Sequence, residues 1–104
     1  MEESSNNNFF DFHFSDWQNN KKVDKWYIDF ENRIKNEMKK CFTVGEKIDK
    51  EQIESKIFQA IKNSCIIGNI YYDYGFIKGT RQLGIEMKYI TDIGQIRAIK
   101  ILVG

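Results

Sequence analysis

The chain has 104 residues, which bounds it at one domain with one modest core and excludes the two lobes that most cofactor-dependent enzymes need. Hydrophobic residues at 41% and charged residues at 30% fit a soluble globular protein, and a net charge of +1 gives no mandate for DNA, RNA or anionic lipid. The N-terminus is acidic and polar, and the most apolar run, Cys65 to Ile77, is broken by Asn69 and Asp73, so neither a signal nor a transmembrane segment is expected. Cys41 and Cys65 fall in helical stripes and are expected to be reduced thiols in a cytoplasmic protein. Lys, Asn, Ile, Phe and Tyr, the amino acids of AT-rich codons, make up about half of the chain. The expected source is an AT-rich bacterium, its phage or a low-GC protist, with host cytoplasm as the location if phage-encoded.

Residues 1–20 carry Glu2, Glu3, Asp11 and Asp16 and no Lys or Arg, a net charge of −4 that leaves the remainder positive. Within this acidic arm, Phe10, Phe12 and Phe14 alternate with Asp11 and His13, and Trp17 follows. Period two predicts a short strand or an extended docking peptide. Residues 21–104 are expected to form one small helical domain.

A first helix is predicted from about Val23 to Phe42. Tyr27, Phe30, Ile34, Met38 and Cys41 recur at three or four residues, with Asp29, Glu31, Arg33, Lys35, Glu37, Lys39 and Lys40 on the other faces. Gly45 is a natural stop. The second helix has the clearest start signal: Asp49 as N-cap, Gln52 three residues later as its capping-box partner, and Ile48 with Ile53 placed for a hydrophobic staple.

Beyond it, Ile53, Ile57, Ile61, Cys65, Gly68, Tyr72, Phe76, Gly79, Leu83, Met87 and Ile90 form an apolar ladder with steps of three or four. The ladder predicts a third helix to about Ile90 after a break near Gly68, and so a mainly α fold: an antiparallel helical hairpin, a third helix and a short extended N-terminal segment. A competing pattern runs through the same residues. Leu83, Ile85, Met87 and Tyr89 alternate with Gly84, Glu86 and Lys88, and Ile99, Ile101 and Val103 alternate too. That alternative is α+β, two helices with a small C-terminal antiparallel sheet and Asp92-Ile93-Gly94-Gln95 as a hairpin turn.

Chemistry is nearly silent. His13 is the only histidine and, with Cys41 and Cys65, has no zinc-ligand spacing; Gly75, Gly79 and Gly84 fit no phosphate-binding loop. No nucleophile has a candidate base, so no catalytic, cofactor or metal residue is assigned and a non-enzymatic protein is expected. Recognition residues are easier to name. Apolar residues flank the ladder on its other sides, and Tyr71, Tyr74 and Ile77 are expected to meet a protein partner or a second copy of the chain. Phe10, Phe12, Phe14 and Trp17 form a second anchor set. Gly75 and Gly79, one helical turn apart, are expected to allow close backbone packing. Lys21, Lys22, Lys25, Arg33, Lys35, Lys39 and Lys40 support a different class, a nucleic-acid-associated regulator working through the basic side of helix one or through a partner complex.

Gly75-Phe76-x-x-Gly79, followed by Leu83 and Glu86, resembles the closing helix of short proteins from low-GC bacteria and their phages. The resemblance implies an interaction protein, in its specific form a mobile-element inhibitor of a host defence complex of the anti-CRISPR kind.

Overall fold

In the computed structural model, which describes residues 11–42, 49–64 and 69–104, the first two elements follow the apolar stripes. Helix α1, Lys25–Cys41, buries Tyr27, Phe30, Ile34 and Met38 along one stripe and ends on an extended Phe42, with Lys39 and Lys40 in its last turn. Those cations face the negative end of the helix dipole. Helix α2, Lys50–Asn63, opens with the predicted capping box. The Gln52 N–H donates to Asp49 Oδ1 (2.8 Å) and the Asp49 N–H donates to Gln52 Oε1 (3.2 Å), which satisfies two of the helix's orphan donors. Ile53, Ile57, Ala60 and Ile61 form its buried stripe. The expected stop at Gly45, the Ile48 half of the staple and Cys65 lie outside the described residues.

From residue 70 the mainly α reading fails and the α+β alternative holds. Three strands, β1 Ile70–Phe76, β2 Leu83–Ile90 and β3 Ile96–Val103, form an antiparallel meander in the order β1-β2-β3. Its register pairs Tyr72 with Met87, Gly75 with Gly84, Met87 with Ile99 and Ile90 with Ile96. The two connections are tight turns that need a left-handed residue, supplied by Gly79 (φ 79°) and Gly94 (φ 82°). In the second turn the Gly94 N–H donates to Thr91 O (2.9 Å) and the Thr91 N–H to Gln95 O (2.8 Å). The span compared above with a closing helix is therefore strand, turn and strand. Gly75 lies in β1 and Gly79 in a turn, so they form no helical seam.

Leu83, Ile85, Met87 and Tyr89 point from β2 to the helices, joined by Ile99, Ile101 and Val103 of β3. With Phe30, Ile34, Met38, Ile53 and Ile57 they make one core between the sheet's inner face and the helical layer. Helix α1 packs on both α2 and β3. Among the described residues no helix is long and apolar enough to cross a membrane.

Candidate interaction surface

Alternation along β2 and β3 turns Gly84, Glu86, Lys88 and Ile90, with Ile96, Ala98, Lys100 and Leu102, away from the helices onto an outer face. Residues 12–19 cross that face as a strap. It starts at the end of β1, where the Phe12 N–H donates to Phe76 O (3.1 Å) and Phe12 bridges Ile77 in parallel. Over β2 the Ser15 N–H donates to Glu86 Oε1 (3.0 Å) and the Ser15 hydroxyl donates to Glu86 Oε2. At β3 Lys100 Nζ donates to the carbonyls of Ser15 and Trp17, each at 2.7 Å.

The strap ends along the outer rim of β3. There the Trp17 indole N–H donates to Ile96 O (3.1 Å), and the Asn19 amide donates to Ala98 O (2.6 Å) while accepting from the Ala98 N–H (2.8 Å). A side-chain amide thus makes the pair of bonds that a neighbouring strand would make.

This diagonal path leaves one end of the outer face uncovered. Tyr71 (68% exposed) lies beside Lys88, Ile90 is paired with Ile96, Ile93 (69% exposed) stands on the hairpin turn, and Trp17 (42% exposed) flanks Ile96. A cleft of about 730 Å³ runs between the strap and the hairpin, lined by Asp16, Trp17, Asn19, Lys21, Ile93 and Ile96. Contiguous large apolar side chains rimmed by charges are the usual composition of a recognition surface.

The residues expected to bind a partner separate in the structure. Tyr71 and Trp17 stand exposed at this end. Tyr74 turns to the helix side and donates its hydroxyl to Glu54 of α2; burial, then that hydrogen bond, pushes its phenol well above the ordinary range. Phe12 is 5% exposed, and Phe14 is half-buried edge-on to it at 5.5 Å between ring centres. Ile77 is half-buried beside Phe12, and Phe10 lies outside the described residues. Sequence reasoning missed Ile90, Ile93 and Ile96 as surface residues. The signal for them was the alternation of β2 and β3, which puts Ile90 and Ile96 on the face opposite Tyr89 and Arg97.

Glu31, Arg97 and Tyr89 make a buried polar cluster between α1 and the sheet. Arg97 Nε donates to Glu31 Oε2 (2.6 Å), Arg97 Nη2 to Glu31 Oε1 (3.2 Å), and the Tyr89 hydroxyl to Glu31 Oε2. The hydrogen bond to Glu31 raises the Arg97 guanidinium, and burial followed by the same carboxylate raises the Tyr89 phenol. Such a cluster ties helix to sheet. Cys41 is a half-buried free thiol, raised by burial and then by Glu37. No group of three or more His, Cys, Asp or Glu among the described residues could hold a metal ion. On α1, Lys25 pairs with Asp29 and Lys40 with Glu37, each at 3.5 Å, so part of the basic side is neutralised locally.

Comparison with protein-family models, curated proteins and solved structures finds no match for this chain.

Proposed function

We propose that the protein is a non-enzymatic binding module that engages a protein partner through the uncovered end of its outer sheet face. The observation that carries this reading is the exposure of Tyr71, Ile90, Ile93, Ile96 and Trp17 at one end of the sheet, drawn from three strands, a turn and the strap. Exposing so much apolar area costs solvation free energy, and a partner that covers it recovers about 25 cal/mol per Å² of apolar surface. Tyr71 supplies ring area with a polar tip, and Trp17 ring area, at low entropic cost, as binding hot spots do. One form of this reading is a stoichiometric inhibitor of a host complex.

Affinity capture with the tagged full chain from cells of its source tests the proposal. A protein recovered with the wild type should be lost with Ile90→Ser/Ile93→Ser and retained with Phe58→Ser, a control on the exposed side of α2. Equal recovery with both variants, folded by circular dichroism, would overturn it. Recovery of nucleic acid that weakens steeply with salt would instead support the basic side of α1.

A further inference from the structure

The strap is held to the outer face as a bound peptide is held. Its one buried ring, Phe12, lies outside the core between sheet and helices and sits over Gly84, where an added Cβ would come within 3.0 Å of that ring and 2.8 Å of Ile77 Cδ1. Phe14 rests half-buried against that ring, and the remaining anchors are polar, most of them directed at backbone: the Phe12 N–H on Phe76 O, Lys100 on two strap carbonyls, Trp17 on Ile96 O and Asn19 on both polar groups of Ala98. Ser15 alone meets a carboxylate, that of the buried Glu86. A segment with one apolar plug and replaceable hydrogen bonds can leave while the core stays closed. What it uncovers is a groove floored by Gly84, Glu86 and Ala98, with the Lys100 ammonium and the outward N–H and C=O of β3 along one side.

We infer that this groove is a peptide-binding site that the strap occupies in cis, and that its partner is an extended segment of the strap's own chemistry. The pattern is an aromatic residue, a hydroxyl residue three positions on, an indole N–H donor two further and a carboxamide two further, as in Phe12-x-x-Ser15-x-Trp17-x-Asn19. Each feature has its receptor in the groove: the hollow over Gly84 for the ring, Glu86 for the hydroxyl and its N–H, Ile96 O for the indole and Ala98 for the amide. While closed, the strap lowers the apparent affinity for a competing segment in proportion to the fraction of molecules in which it is open. The inference goes beyond the exposed patch, and its test touches neither Ile90 nor Ile93.

A labelled peptide with the sequence of residues 11–20 is titrated into the full chain and into Ser15→Ala/Asn19→Ala, whose own strap has lost two anchors while the groove is unchanged. The variant should bind the peptide at least about tenfold more tightly than the wild type. A peptide carrying Phe12→Ala should bind neither. If the Ala98 amide of the variant exchanges freely with solvent and the peptide still does not bind, the assignment is overturned. Hydrogen exchange of the wild type keeps the test independent of the variant's folding. The amides of Ser15 and Ala98 should exchange through a local opening insensitive to low denaturant, while those of Met87 and Ile99 wait for global unfolding. One common opening for all four would make the strap a permanent part of the fold and end the proposal.

Discussion

The Glu31–Arg97 pair shows how much can rest on two side chains. Both are nearly enclosed, at 10% and 8% side-chain exposure, so each charge depends on the other for solvation. Arg97→Met strands the carboxylate beside Tyr89 and should cost about 3 kcal/mol in urea unfolding, whereas Glu31→Leu/Tyr89→Phe/Arg97→Met, which removes every polar member of the cluster, should return close to wild-type stability. Tyr89 carries a pH dependence. Its phenol is raised by burial and by Glu31 from an unfolded value of 10.0, so the folded state holds its proton more tightly than the unfolded chain. That contribution is full below about pH 10 and is lost as pH rises beyond it. Unfolding at pH 8 and 11 should show the wild type losing stability with pH, and Tyr89→Phe losing less; Tyr74, raised in the same direction, accounts for part of the remaining slope. The charge pattern of α1 places Glu31 with the residues off the apolar stripe. Its spacing argued otherwise, since Tyr27, Glu31, Ile34 and Met38 step by four, three and four along the buried stripe.

At the level of elements, the helices were legible because their signals are local. The stripe of α1 and the capping box of α2 lie within a few residues in sequence, and Asp49→Ala should cost about 1 kcal/mol in thermal or chemical unfolding. The strands were misread for a geometric reason. A step of four keeps a residue on one face of a helix and on one face of a strand alike, being close to one helical turn and also twice the strand period. Tyr72 to Phe76 and Leu83 to Met87 are such steps, so the ladder kept its phase while the backbone changed from coil to pleat. Ile85 and Tyr89, which fall between the rungs and are buried on the same face as Leu83 and Met87, distinguish the two. Gly84 and Glu86 are buried on the opposite side, so β2 is covered on both faces although its residue types alternate.

Taken whole, the molecule has one core to which every described element contributes. Met87→Ala in the sheet and Ile57→Ala in α2 should therefore each cost about 2–5 kcal/mol, with far-UV circular dichroism and tryptophan fluorescence reporting a single coincident transition for each variant. Separate transitions would mean that the helical layer and the sheet melt independently. The outer face was the least legible part. Tyr71 and Trp17 could be picked from their residue types, but the exposure of Ile90 and Ile96 depends on which strands pair and on the diagonal followed by residues 12–19. Both are long-range facts that spacing within a segment does not encode.

The carboxamide of Asn19 on Ala98 also bears on the fate of the protein at high concentration. Fibril growth by cross-β addition needs an unoccupied donor and acceptor row on each new layer, and on the β3 edge the Asn19 amide, with the Trp17 indole beside it on Ile96 O, stands in that row where the next molecule would dock. Removing the carboxamide frees both polar groups of Ala98 on that edge, and concentrated Asn19→Ala should nucleate thioflavin-positive aggregates well before the parent chain does.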